Sequence, residues 1–431
     1  MEEKKCPFDV DPDAPQPEVG IRAQNPLEFL DRPLRRREFL KMAAMFWFST
    51  LVPVKLFKRV VEAAEGPVVR GSWDRVLVLL ELNGGNDGLN TVIPYTDDRY
   101  YELRKRIAVP RDQIVQLSGQ MGLHPSLSAL LPLWQQHQMA IVQGVGYPKP
   151  NRSHFRSIAI WETASDSDQY LEEGWMARLF RESPPPAGFA ADGIVIGNGQ
   201  AGPLSGPNVR VVNMEKPEQF LNQSRSLPQE VLQTSPNPAL EHILDIERNI
   251  RQAAAALGEK LRQVPKFKTP FPKSRISNHL EVVAKLIAGG APAPVMKLNH
   301  GSFDTHSGQK DRHVRLLKEL GEGLAAFQSA LTEVGLWDQV MVMTYSEFGR
   351  RVQDNDSSGT DHGTAAPHFL MGGKVKGGFY GKQPSLTDLA DGDLRYHVDY
   401  RSIYETVATR WWRLRADFLP KRRYETLHCI A

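Results

Sequence analysis

The sequence predicts an α/β domain: a mostly parallel central sheet with helices on both faces. Two observations carry this expectation. Short, nearly continuous apolar runs recur along the chain, separated by segments with apolar residues at helical spacing. Each run then breaks into a polar cluster of Asn, Asp, His, Ser or Gly, as strands do at the carboxyl edge of an open α/β sheet. The 431 residues are 41% hydrophobic, enough for a sizeable core, and a formal charge of +3 gives no whole-molecule field that attracts nucleic acid.

The first run is Val76–Leu82, which passes into Asn83-Gly84-Gly85-Asn86-Asp87-Gly88-Leu89-Asn90. Its glycines allow tight or positive-φ backbone near a bound group, and Asp87 offers a hard oxygen ligand. A helix is expected around Asp97 to Arg106, and leucines at helical spacing mark Pro125 to His137. Met139 to Val145 is a second buried strand, followed by a loop through Arg152-Ser153-His154-Phe155 and a helix through Trp161. Gly193 to Gly197 is a third. The G-x-G-x-x-G of Gly197, Gly199 and Gly202 lacks the helix that a dinucleotide site needs, because Pro203 and Pro207 follow, so it is read as chance. Residues 203 to 235 are read as loop-rich.

Asn237 to Gln263 is a long helix with Leu240, Ile243, Leu244 and Ile250 on one face. A helix over Ile276 to Ala288 and a strand over Pro294 to Asn299 lead into His300-Gly301-Ser302-Phe303-Asp304-Thr305-His306. The most regular amphipathic helix follows over Asp311 to Leu336. The strand Val340 to Thr344 runs into Ser346-Glu347-Phe348-Gly349-Arg350-Arg351, and an acidic loop then carries Thr360-Asp361-His362-Gly363. His368 to Met371 is a further strand candidate, and a last helix spans Tyr400 to Trp412. The tail tryptophans, though flanked by arginines, are read as packing residues and no nucleic-acid partner is expected.

Residues 1–34 are rich in proline and acids and read as a disordered leader. Within 35–65, Arg36-Arg37-Glu38-Phe39-Leu40-Lys41 fits the twin-arginine export pattern, and the apolar stretch Met42 to Val54 suits its hydrophobic region. The expected location is periplasmic or extracellular, with the export machinery as a partner and an uncleaved amino-terminal anchor as an alternative. Residues 66–431 then form one hydrolase-like domain. Cys6 and Cys429 are the only cysteines, which argues against a soft-ligand metal centre.

If the strands share one edge, Asp87, Ser153, His154, Asp304, His306 and Glu347 converge there, and Asp361 and His362 fold over it. Mixed carboxylates and imidazoles suit zinc, manganese or a similar divalent ion, one or two per chain. Each candidate also has a plainer account. Asp304 would cap the helix near Asp311, Ser153 would cap the helix through Trp161, Asp361-His362 would make turn hydrogen bonds, and Glu347 would pair with Arg350 or Arg351.

Five stretches in order resemble a bacterial family of exported proteins, domain of unknown function 1501. They are Leu82 to Asn90, Ser153-His154-Phe155, Phe303 to His306, Ser346 to Arg350, and Gly359 to Thr364, within a match over about residues 70 to 412. That family is similar to the alkaline phosphatase and sulfatase superfamily, whose members use metal ions and a Ser, Thr or formylglycine nucleophile. The resemblance implies an alkaline-phosphatase-like fold, with Asp87 as the first-strand ligand, Ser153 as nucleophile and Asp304 with His306 as a shortened D-x-x-x-H pair. It leaves His368 or His397 as a final ligand, and Phe348 stands where a ligand is expected. The reading that follows is an exported metal-dependent hydrolase of small-molecule or polymer phosphate or related esters. Asp87, Asp304, His306, Glu347, Asp361 and His362 hold metal; Ser153 and His154 are catalytic, and Arg350, or Arg152, steadies the developing anion. The alternative is a non-catalytic, envelope-associated binding or assembly protein on the same fold.

Overall fold

The first apolar run forms the central strand β1 (Val76–Leu82) in a computed structural model that describes residues 71–225, 237–261, 264, 266–420 and 424–431. The leader, the twin-arginine motif and the apolar stretch after it lie outside the described residues. β1 is followed in chain order by β2 (Met139–Gly146), α1 (His154–Thr163), α2 (Trp175–Glu182), β3 (Gly193–Ile196), β4 (Val211–Met214), α3 (Pro217–Arg225) and α4 (Pro238–Leu261). The second half holds α5 (Arg275–Ala288), β5 (Val295–His300), α6 (Gln309–Glu333), β6 (Val340–Tyr345), β7 (Ala366–Gly372), β8 (Gly378–Gly381), β9 (Val398–Asp399) and α7 (Tyr400–Thr406). The strands build a nine-stranded sheet in the order β8-β2-β7-β6-β1-β5-β3-β4, with β9 also paired to β2.

All described pairings in this sheet are parallel except those of β7, which runs against β2 and β6. That reversal matters for the site. The chain leaves the carboxyl end of β6 and re-enters the sheet beside the end of β2, where Ala366 faces Val145. The whole loop 346–365 therefore stays at one edge.

Strand alternation sorts the core into two layers. Val78, Leu80 and Leu82 face a cluster with Leu280 and Val283 of α5 and Leu316, Leu320 and Leu324 of α6. Leu77 and Leu79 face an aromatic layer with Trp161, Trp175, Tyr404, Trp411 and Trp412. In that layer Trp175 stacks on Tyr404 at 4.4 Å, and the tail tryptophans are buried as packing residues.

Three sequence expectations need correction. Residues 203 to 235 are not all loop, because β4 pairs with β3 and α3 follows. α2 was not expected, although it carries some of the most buried aromatic side chains. On α4, Leu244 is buried but Leu240 and Ile243 stay exposed, so the apolar face is only half used. The G-x-G-x-x-G stretch ends in a single 3-10 turn, Gly202–Leu204, and makes no dinucleotide fingerprint.

Three buried histidines make this fold acid-sensitive. Burial pushes His124 down to about 4, and His313 and His368 down to about 3. In the unfolded chain they titrate near 6.5, so below that pH the unfolded state binds more protons. Their contribution to stability is complete above about pH 6.5 and is lost as the pH falls toward 3, by about 1.4 kcal/mol per pH unit for each histidine titrating only when unfolded. Urea unfolding should therefore give a lower free energy at about pH 5 than at about pH 7.5. A flat profile across that interval would contradict the burial of these rings.

Candidate functional site

Three loops at the carboxyl edge are tied together by backbone hydrogen bonds and by one arginine. Asn83 N donates to His300 O and Phe303 N to Asn83 O, each at 3.0 Å, which joins the turn after β1 to the loop after β5. Gly84 and Gly85 hold positive φ angles of 111° and 73°. A Cβ at Gly84 would stand 2.4 Å from Asp304 N, and one at Gly85 would stand 2.4 Å from Phe348 Cε2. The glycines thus admit neighbouring protein, not a bound group as the sequence suggested. Arg350 is fully buried and donates to the carbonyls of Gly85 (2.7 Å), Thr360 (2.9 Å), Phe303 (3.2 Å) and Gly84, and to Asp304 Oδ1 (2.6 Å).

Asp304 is the meeting point of three imidazoles. Its Oδ1 lies 3.1 Å from His306 Nε2 and 3.2 Å from His362 Nε2, and its Oδ2 lies 3.5 Å from His154 Nε2. Burial opposes its ionisation, but the Arg350 hydrogen bond and charge, with His362 and His306, hold the carboxyl at about 2. Ligand atoms of His154, Asp304 and His362 all lie within 4.8 Å of one another. His306 joins them, its Nε2 2.9 Å from His362 Nε2.

The far nitrogens fix the tautomers. His362 Nδ1 lies 2.8 Å from the Arg152 carbonyl, which can only accept, so that nitrogen carries the proton. His154 Nδ1 faces Glu347 Oε1 at 3.0 Å and His306 Nδ1 faces Asp361 Oδ1 at 3.1 Å, two carboxylates that likewise take a proton. In the neutral form these rings turn three Nε2 lone pairs toward the Asp304 carboxylate. Lone pairs so gathered repel unless a proton or a cation lies between them, and imidazoles whose Nδ1–H is held by an oxygen are the usual form of histidine metal ligands. The residues present fit a divalent ion of the zinc type. Burial pushes His362 below the usual histidine range, and the His306 hydrogen bond does the same to the Asp361 carboxyl. Both shifts favour the ligand forms.

The sequence-derived set is thus partly regrouped. Asp304, His306 and His362 come together as expected, and His154, expected to be catalytic, sits among them. Glu347 and Asp361, expected as ligands, stand behind His154 and His306. Glu347 also accepts from Gly84 N at 2.9 Å and pairs with neither Arg350 nor Arg351. Asp87 is elsewhere: it caps the short helix Gly88–Thr91, and its Oδ2 receives Arg104 Nη1 at 2.5 Å and Gln309 Nε2. Burial works against ionising Asp87, yet Arg104 holds its carboxyl below the usual range. Arg350, expected to meet the substrate, is enclosed by the carbonyls it binds.

Asp304 does not cap α6, whose N-cap is Gly308. Ser153 occupies the N-cap of α1 but its side chain makes no capping hydrogen bond, and the residue is exposed. Phe348 packs its ring 4.4 Å from that of His362 and 5.0 Å from that of His154, an apolar wall where a ligand was expected. Neither His368, buried against Trp161, nor the exposed His397 reaches the group. Sequence reasoning missed the Arg152 carbonyl, which carries no side-chain signal at all.

Replacing Arg350 by lysine keeps the charge but removes the planar fork, leaving carbonyls and Asp304 without donors. The Arg350→Lys variant should lose about 3–5 kcal/mol of stability and bind zinc more weakly, read by chemical denaturation and by calorimetry. Unchanged values would show that the guanidinium does not organise the edge.

Comparison with curated proteins finds no match. Among solved structures the chain is similar to the lipoteichoic acid synthase LtaP from Listeria monocytogenes, with 8% identity, 72% of this chain and 66% of that chain covered, and a TM-score of 0.32. It therefore spans just under two thirds of that synthase chain. It is also similar to the C-terminal periplasmic domain of EcEptC from Escherichia coli in complex with Zn (10% identity, 72% and 77% covered, TM-score 0.33). A third likeness is to the alkaline phosphatase from the Antarctic bacterium TAB5 (10% identity, 71% and 94% covered, TM-score 0.32). A family model matches residues 74–418, most of the chain, and by that match this protein belongs to the family described as Protein of unknown function (DUF1501).

Proposed function

We propose that the protein is an exported, metal-dependent hydrolase of phosphate or related esters. The observation that carries the reading is the convergence of His154, His306 and His362 Nε2 on the Asp304 carboxylate, each ring held from behind by an oxygen acceptor. Those four residues would hold one divalent cation, zinc or manganese. When bound, it supplies positive charge that polarises an ester oxygen and offsets charge developing in the transition state.

The chain's own residues supply the rest. Ser153, exposed and free of a capping role, is the nucleophile candidate beside His154. The first-turn N–H groups of α1 have no partners inside the helix, and its positive end favours an anion there. Glu347 and Asp361 keep His154 and His306 in the ligand tautomer, and the Phe348 ring keeps water from one side of the imidazoles. Arg152, whose guanidinium is joined to Asp393, contributes its carbonyl to the orientation of His362. The location we infer is periplasmic or extracellular, reached through the twin-arginine machinery with the cation already in place, and an uncleaved leader would anchor the chain at the membrane. Among the described residues no helix is long and apolar enough to cross a membrane.

The competing reading, an envelope-associated binding or assembly module, draws on the withdrawal of Asp87 to Arg104, which leaves one cation position where two would serve phosphoryl transfer. The full chain purified without chelator separates the two. We expect one bound divalent ion by elemental analysis, lost in Asp304→Ala and His362→Ala, and affinity reduced roughly 10–100-fold in Glu347→Ala. Turnover of 4-nitrophenyl phosphate or sulfate should require the metal and disappear in Ser153→Ala. Metal binding without turnover of any ester would favour the binding module, and absence of metal binding would end both metal-based accounts.

A further inference from the structure

Beside the cation position a cleft of about 440 Å³ runs along α1, with His154, Ile158 and Glu162 on its wall. These positions repeat at four residues, so they share one helix face. His154 and Glu162 are eight residues apart, roughly 12 Å of helical rise. Glu162 makes no hydrogen bond or ion pair among the described residues, although it is half-buried and faces the cleft.

Its neighbours explain why that is unusual. Lys297, buried on β5, donates to Glu81 Oε2 and to Gln200 O, both at 3.0 Å. Glu81 also accepts from Tyr345 (3.2 Å) and Asn83 (3.1 Å), so it is fully satisfied and takes up the lysine charge. One ammonium thus stands between two carboxyl groups, and Glu162 is the one left without a partner. Burial first, then the charges of Glu81 and Glu347, raise Glu162 to about 7 against the opposing pull of Lys297. The opposite wall is the stretch after β3, Asn198-Gly199-Gln200, and Gly202 closes over the carboxyl group. With φ at +55° the turn favours glycine, and its Cβ would stand 2.2 Å from Glu162 Oε1, so a larger residue would push the carboxyl group aside. The G-x-G-x-x-G pattern that bound no dinucleotide has its use here.

Resting on the esterase reading above, we propose that Glu162 recognises a protonated amine carried by the alcohol part of the substrate, on the order of 10 Å from the ester held at the cation position. A hydroxyl would hydrogen-bond the group in either form; an ammonium also offsets the cost that burial places on the ionised form. At this end of the cleft two carboxyl groups, Glu81 and Glu162, stand against one lysine, which disfavours an anionic group there.

The test measures binding by calorimetry to the zinc-loaded full chain, with hexyl phosphate and 6-aminohexyl phosphate as probes. We expect the amine to tighten binding by roughly tenfold or more, the gain to vanish in Glu162→Gln, zinc affinity to stay as in the parent, and the melting temperature not to fall. The pair ethyl phosphate and 2-aminoethyl phosphate, too short to span the cleft, should bind alike. Equal binding of the two hexyl esters, or an amine preference that survives in Glu162→Gln, overturns the assignment and leaves the esterase reading standing. Failure of both hexyl esters to bind a zinc-loaded chain overturns the esterase reading, and this inference with it.

Discussion

One buried guanidinium organises the carboxyl edge of the sheet. Arg350 touches the turn after β1, the loop after β5 and the loop that returns through Thr360, and it fixes Asp304 in the middle of them. A lysine could not make these contacts, because they need a planar fork with donors on three nitrogens. With Arg350 in place Asp304 is anionic over the whole physiological range, and the three imidazoles arrange themselves around a fixed negative charge. The geometry around Asp304 therefore depends on a residue enclosed by the carbonyls it binds.

The same edge contains a second acidic cluster built on the opposite logic. Asp87 is sealed under Arg104, Gln309 and the Asn90 amide, and a hydrogen-bonded set of Asn90, Tyr100, Asn86, Thr91 and His313 surrounds it. Its polar partners are all protein groups, as a buried charge requires. Asp304 is partly open, and beyond the Arg350 donor three imidazole Nε2 atoms face it. Two aspartates that look alike as letters therefore differ in their surroundings: Asp87 is closed in by donors, whereas Asp304 takes one donor, Arg350, and turns its remaining face to three imidazoles. That open face crowded by imidazole nitrogens is what sets Asp304 apart from the sealed, structural Asp87.

How far the sequence went follows from the same physics. β1, β2, β5 and β6 were legible because a strand buried on both faces must be a continuous apolar run, and Asp304, His306 and His362 because polar clusters after such runs share an edge. The division of labour was not legible. Whether Glu347 touches a metal or the histidine in front of it depends on a few ångströms of loop path, and the two cases have the same letters. The partner that removes Asp87 from the site, Arg104, sits in a charged stretch with no pattern to single it out, and the carbonyl that orients His362 belongs to the backbone. The antiparallel course of β7 was equally silent, yet together with Arg350 it keeps Asp361 and His362 at the edge where the parallel strands end.

The helix α1 ties these pieces into a measuring device. Its first residue, His154, belongs to the cation position, and its penultimate one, Glu162, faces the far end of the cleft, so the separation between them is set by helical rise rather than by a mobile loop. Rigid spacing of this kind selects by length, because a shorter molecule held at one end forfeits the other contact. It also bears on the choice between hydrolase and binding module. A module that only gripped an anion would need the cation position and the positive end of α1, and would have no use for an unpaired carboxyl group two turns away. Keeping a carboxylate half-buried without a partner costs stability, and an uncompensated group of that kind is retained where a ligand completes it.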